Sequence, residues 1–264
     1  MEIICAPCAP GDVLPLAPDT AHTLPCHHTQ ARPLPAPPMA WPVGTRLLDA
    51  TGTALFSVVG RLHLPTATAA APHAAHGIPC PLLRAERHIT AGAVSLGTSR
   101  SGWALGWITL SDKGYAGERE DTSGPALAAL LRDTLPLCHE QGFLLPDDAR
   151  ALRSLMAELA LGQGYDLVCT TGGTGLAPRD ISPDVTLSLL DTRLPGFEQA
   201  MMQASLAKTP MGCVSRAVAG VIGSCICVNL PGSRKAVTEN LTALLPALNH
   251  ALEKLHGDPS DCGT

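Results

Sequence analysis

The residues of this sequence best suited to chemistry are Asp147, Asp180 and the run Thr170-Thr171-Gly172-Gly173-Thr174-Gly175 that lies between them. Glycines let a backbone turn tightly and bring its N–H groups against an anion; threonine hydroxyls add donors, and a helix starting just beyond adds its positive end. A plain strand-to-helix turn needs one glycine. Three glycines and three threonines in six residues read instead as a cradle for phosphate or carboxylate. Beside such a loop, Asp147 and Asp180 have a joint role as ligands of Mg2+, which takes one or two protein carboxylates and fills its other positions with phosphate oxygens and water. Metal and N–H groups together would stabilise charge developing at phosphorus. Each aspartate alone also suits a helix cap, Asp180 for a helix after the loop and Asp147 for one beginning at Ala149.

Strands and helices must bring these residues together, and the pattern after residue 101 supplies them. Apolar runs at Trp103–Leu110, 142–145, 166–170 and 225–228 read as strands. Between them, Thr122-Ser123-Gly124-Pro125 opens a helix with Leu127, Leu130 and Leu131 on one face, and 149–161 repeats Leu and Met at helical spacing. A long final helix reaches about His256. Strands separated by single helices predict a three-layer α/β/α fold with a mainly parallel sheet, in which ligands sit beyond the carboxyl ends of the strands. Those ends carry Ser111-Asp112-Lys113-Gly114, Pro146-Asp147-Asp148, the Thr/Gly loop, and Asn229-Leu230-Pro231-Gly232-Ser233. Cys225 and Cys227 share one strand face and read as small core residues. His139, His250 and His256 read as surface residues on helices or linkers.

Composition narrows the function. Hydrophobic residues make up 45% of the 264 and aromatics 3%, which fits an aliphatic α/β core. A net charge of −5, with no Lys/Arg cluster, argues against nucleic acid as a partner. No run of some 18 apolar residues suggests a membrane span, and the first residues lack the basic region of a signal peptide, so a cytoplasmic location is expected. There is no G-x-x-x-x-G-K-[ST], G-x-G-x-x-G or G-x-S-x-G motif, which removes the ordinary nucleotidase, dinucleotide-binding and serine-hydrolase readings.

Residues 1 to about 40 are rich in Pro, Ala and Thr without periodicity, so little order is expected there. Cys5 and Cys8 form a C-x-x-C, and Cys26-His27-His28 follows, yet the spacing fits no familiar zinc pattern. From Val43, residues 44–48, a Thr51-Gly52 turn and 54–59 predict a β-hairpin. A Pro/Ala/His linker spans 65–79, and the stretch from Cys80 to Gly97 completes a small β-rich region. This region weakly resembles the C-terminal half of a MOSC domain, a module linked to sulfur transfer, in which Cys80 would match the functional cysteine. The expected division is 1–100 for this region, 101–258 for the α/β domain and 259–264 for a tail.

Taken in order, Ser111-Asp112-Lys113, Glu120-Asp121-Thr122-Ser123-Gly124-Pro125, Pro146-Asp147, 170–175, Arg179-Asp180, Ser182-Pro183-Asp184-Val185-Thr186, Pro195-Gly196-Phe197, Ser215-Arg216 and Asn229-Leu230-Pro231-Gly232-Ser233 closely resemble the MoaB/Mog family. The resemblance runs from about Gly102 to Leu255. It implies a molybdopterin adenylyltransferase of molybdenum cofactor biosynthesis, with ATP and molybdopterin as substrates. By motif, Asp147 and Asp180 would bind Mg2+ and the triphosphate, and Thr170, Thr171, Gly172, Gly173, Thr174 and Gly175 would cradle phosphate. Ser111, Asp112, Asn229, Pro231, Gly232 and Ser233 would line the nucleotide and pterin pocket, with Ser205 and Ser215 as weaker candidates on the pterin side. A homotrimer or hexamer and a molybdate-insertion partner are also implied. Two departures stand out: Lys113 where many members have Arg, which loses bidentate geometry, and Ser182 for a common Thr. Alternatives are a non-catalytic molybdopterin carrier of the same fold, or a fusion whose N-terminal part adds sulfur transfer or docking.

Overall fold

The computed structural model describes residues 2–18, 29–31, 41–65 and 77–259, and the chain divides into two units, Met1–Ser101 and Gly102–Thr264. The first holds β1 (Glu2–Cys5), β2 (Val13–Pro18), β3 (Thr29–Ala31), β4 (Arg46–Leu48), β5 (Ala54–Pro65), β6 (Gly77–Ala85), β7 (Gly92–Ser95) and β8 (Gly97–Ser99). Their order is β7-β1-β3-β2-β6-β5-β4-β8. The two end strands are consecutive in the chain, separated by Leu96 alone, so the sheet closes on itself. Ile3, Leu16, Leu47, Phe56, Val58 and Leu83 fill its core.

The expected hairpin is present as β4 and β5, its turn held by Asp49 Oδ1, which accepts from the N–H groups of Thr51 and Thr53. The expectation of little order before residue 40 fails at β1, β2 and β3, strands too short, and in β2 too proline-rich, to show a period. The linker expected at 65–79 is shorter, because β5 runs through Pro65 and β6 begins at Gly77. Cys26, His27 and His28 lie outside the described residues. Cys5, Cys8 and Cys80 are buried, and burial pushes the thiols of Cys5 and Cys80 up to about 11, which disfavours their thiolate forms.

The second unit runs β9 (Trp103–Leu110), α1 (Asp112–Tyr115), α2 (Ser123–Arg132), β10 (Leu137–Leu145), α3 (Ala149–Ala157), β11 (Leu167–Thr171), α4 (Ser182–Leu187), β12 (Thr192–Arg193), α5 (Pro195–Leu206), β13 (Ala219–Ile222), β14 (Cys225–Leu230) and α6 (Arg234–Leu255). A π-helical turn, Glu158–Gln163, extends α3, and a 3-10 turn, Pro210–Val214, follows α5. The sheet order is β10-β9-β11-β14-β13-β12, parallel through the first four strands and antiparallel at the β13–β14 and β12–β13 pairs. Alternation along the strands divides the sheet into two faces. Leu105, Leu167, Cys169, Ile226 and Val228 pack with Leu127 and Leu131 of α2, Met201 of α5, and Leu241, Leu244 and Leu248 of α6. Each such leucine contributes about 1.5–3 kcal/mol on burial. On the other face, Gly106 lies against Leu159 and Tyr165, and Asn229 reaches Thr186 of α4.

One histidine departs from expectation, whereas His256 is at the surface at a helix end as expected. His139 is on β10 and shares a 3.1 Å hydrogen bond with the Tyr165 hydroxyl. His256, the C-cap of α6, pairs through Nε2 with the buried Asp166 carboxylate at 3.2 Å and stacks obliquely on Trp103. Asp166 also accepts from the Ala104 N–H at 2.6 Å, so this buried charge is satisfied where β9 and β11 begin. Among the described residues no helix is long and apolar enough to cross a membrane.

Candidate active site

Four parallel strands end beside one cleft of about 940 Å³ in the second unit. Ser111 and Asp112 line it after β9, Asp147 after β10, Thr171, Gly172 and Gly173 at the end of β11, Arg179 and Asp180 farther along that loop, and Gly232 and Ser233 after β14.

The loop after β11 is built to expose donors. Its carbonyls are taken one after another: Gly172 by the Ser182 hydroxyl (2.7 Å), Gly173 by the Ser182 N–H (3.1 Å), Thr174 by the Arg216 N–H (2.9 Å) and Gly175 by Arg216 Nε (2.8 Å). The N–H groups of Gly173, Thr174, Gly175 and Leu176 donate to no acceptor among the described residues. After β14 the same logic recurs. The Leu230, Pro231 and Gly232 carbonyls accept from the Gly172 N–H (3.1 Å), the Thr171 hydroxyl (2.9 Å) and the Ser123 hydroxyl (2.8 Å), while the N–H groups of Gly232 and Ser233 precede the unfilled first turn of α6. Two loops with carbonyls occupied and amides open make a concavity of the kind that can hold an anion.

The carboxylates are held differently. Asp180 does not cap α4, whose N-cap is Ile181; its Oδ2 accepts from the Ala177 N–H at 2.7 Å. Asp147 does not cap α3 either, because Asp148 does so by accepting from the Ala151 N–H at 2.7 Å. No side chain donates to the Asp147 carboxylate among the described residues; the Asp112 backbone N–H is its neighbouring donor. Burial raises its pKa above the ordinary aspartate value, neighbouring Asp112 and Asp180 push the same way, and Arg179 opposes them. Donors that repel one another at an anion-binding loop suit a hard dication, which needs only one or two of them. Among the described residues no cluster of three or more His, Cys, Asp or Glu forms a closed metal cage.

A raised carboxylate pKa has a stability consequence. The fold favours protonated Asp147, so its contribution is fully present below the unfolded value of about 3.9 and is lost as pH rises through the raised one. Asp147→Asn is therefore expected to melt above the parent chain at pH 7 without Mg2+, with the gap closing towards pH 4. Identical melting curves at both pH values would show that this repulsion is absent.

Several site residues were given no role from the sequence: Lys113, Asp121 and Arg179 were quoted only within motifs, and Arg119 and Arg234 not at all. Arg179 forms an ion pair with Asp112, whose Oδ1 accepts from the Asp147 N–H at 3.0 Å; Asp112 thus positions its neighbours. Arg119 donates to Ser111 Oγ at 2.8 Å, and Asp121 ties the Thr109 hydroxyl (2.6 Å) to the first N–H groups of α2. Lys113 and Arg234 also line the cleft. These basic residues form no cluster in the sequence; the available signal was that each follows the end of a parallel strand.

Other expected residues lie elsewhere. Thr170 and Asn229 are fully buried, not pocket-lining, because strand alternation turns both inward, where Asn229 Nδ2 donates to Thr170 Oγ1 (2.9 Å) and Thr186 Oγ1 (2.8 Å). Thr174 is buried, and neither it, Gly175 nor Pro231 lines the cleft. Ser205, on α5, exchanges hydrogen bonds with Asn240, and Ser215 accepts from the Ala217 N–H; neither is at the cleft.

Comparisons with known proteins point one way. A family model described as a probable molybdopterin binding domain matches residues 106–250. Gephyrin of Dictyostelium discoideum is 34% identical over 193 residues, covering 67% of this chain, which spans only 27% of that relative's length. A molybdopterin adenylyltransferase of Haemophilus influenzae is 38% identical over 152 residues, 57% of this chain and 77% of its own. The crystal structure of the molybdopterin biosynthesis enzyme MoaB from Thermus thermophilus superimposes with a TM-score of 0.55 at 41% identity, covering 60% of this chain and 99% of that one.

Proposed function

We infer a reaction from one premise: the chain belongs to the family of probable molybdopterin binding domains. The second unit is a molybdopterin adenylyltransferase in molybdenum cofactor biosynthesis. It joins AMP from ATP to the terminal phosphate of molybdopterin and releases pyrophosphate. The observation that carries this reading is the pair of loops with occupied carbonyls and open amides beside two aspartates that line the same cleft.

A phosphate oxygen of the pterin attacks the α-phosphorus of ATP. The bond from that phosphorus to the oxygen bridging to the β-phosphorus breaks, and pyrophosphate departs with the electron pair. No protein nucleophile is needed, so the chain contributes positioning and charge stabilisation. The open amides of Gly173, Gly232 and Ser233 hold phosphate oxygens, and Lys113, Arg119 and Arg179 offset their charge. Asp147 and Asp180 would hold Mg2+, which when bound neutralises charge on the triphosphate. The expected trimer or hexamer, cytoplasmic location and molybdate-inserting partner belong to the same reading.

The test is pyrophosphate release by the full chain with ATP, Mg2+ and purified molybdopterin. Pterin-dependent release supports the reading; molybdopterin binding without release would make the protein a carrier, and neither would remove the assignment.

A further inference from the structure

Arg216 does not line the cleft, yet it grips the loop that forms one wall of it. Its backbone N–H donates to the Thr174 carbonyl, Nε to the Gly175 carbonyl at 2.8 Å and Nη2 to the Asp180 carbonyl at 2.5 Å. Nη1 lies 3.0 Å from both carboxylate oxygens of Asp184 on α4. One guanidinium thus ties both ends of the segment 175–180 to the following helix. That segment carries Arg179 and Asp180, and its first residue packs against the carboxylate: a Cβ on Gly175 would lie 2.7 Å from Asp180 Oδ2 and would have to displace it. A loop that offers N–H groups to an anion loses affinity if its carbonyl dipoles can turn to the same anion. Tying off three of those carbonyls with one arginine prevents it, and an ammonium has no equivalent planar fork.

We propose that Arg216 is a positioning residue for the reaction, acting through the loop amides and the Asp180 carboxylate without touching substrate. The proposal rests on the reading of the cleft as a phosphate-binding adenylylation site. Arg216→Ala in the full chain should lower kcat on the order of 10²-fold, as for lost electrostatic preorganisation. It should also raise the Mg2+ concentration for half-maximal rate and weaken binding of Mg2+-pyrophosphate about tenfold or more, while the KM for molybdopterin changes little. Added guanidinium should restore a measurable part of the rate to Arg216→Ala, and Arg216→Lys should stay impaired. Arg132→Ala, which cuts an exposed pair with Glu140, serves as the control and should behave as the parent chain.

Folded Arg216→Ala with parental pyrophosphate affinity and kcat overturns the proposal. So does a rate loss with unchanged Mg2+ and pyrophosphate affinity and no guanidinium rescue, the signature of a purely structural arginine. If Arg216→Ala does not fold, Asp184→Asn carries the same measurements. Should the parent chain bind Mg2+-pyrophosphate but transfer no adenylyl group, the enzymatic reading fails and the binding comparison alone decides Arg216. A parent chain that binds no pyrophosphate overturns both.

Discussion

Asp180→Asn is expected to fold as the parent chain does and to lose on the order of 10²-fold or more of the adenylation rate, as when transition-state charge stabilisation is removed. Asparagine keeps an oxygen that can accept from the Ala177 N–H, so the loop retains its internal bond and only the charge is lost. Asp147→Asn should lose a comparable amount while gaining thermal stability without Mg2+, because burial and the neighbouring carboxylates disfavour its charged form. The two variants separate the roles of charge and scaffold. Circular dichroism melts with pyrophosphate release on both decide the matter, and unchanged turnover in both would sink the metal assignment.

Gly172→Ala should impair fold and function together. Gly172 has φ +98°, and a Cβ there would stand 2.6 Å from the Leu110 carbonyl oxygen at the end of β9. A side chain in that conformation costs about 1–3 kcal/mol. Relief of the clash must part the loop from β9, and a displacement on the order of 1 Å at a positioning element can cost about 10²-fold in rate. Gly196→Ala is the matched control, since nothing lies within 4 Å of its added Cβ. A Gly172→Ala protein that melts and turns over as the parent does would refute this account of the loop.

The inner strands β9, β11 and β14 were legible because a buried parallel strand is a continuous apolar run, and each ended in residues that could do chemistry. Only 142–145 of the edge strand β10 was legible, because Cys138-His139-Glu140-Gln141 breaks the apolar run. β12 and β13 were not. Ala219–Ile222 is four residues with an internal glycine, although Gly223-Ser224 between two apolar runs marks a two-residue hairpin turn. Which of the adjacent Asp147 and Asp148 would cap α3 could not be read from spacing, since both types and positions suit a cap. Asn229 illustrates the opposite error: its motif reads as a loop, but β14 extends two residues beyond the apolar run and turns the amide into the interior beside Thr170. Arg216 was visible only as part of a motif, because its three carbonyl partners and Asp184 come together through the fold.

The closed sheet of the first unit sets an order of events during synthesis. β1 is made early and has β3 on one side, but its other antiparallel partner is Gly92–Ser95, and the same short stretch continues through Leu96 into the strand paired with β4. Until residues 92–99 have been made, two raw edges remain open to any passing strand. The final stitch joins segments remote in sequence, so its entropy cost falls in one late step, and that step ends the unit's exposure to misassembly.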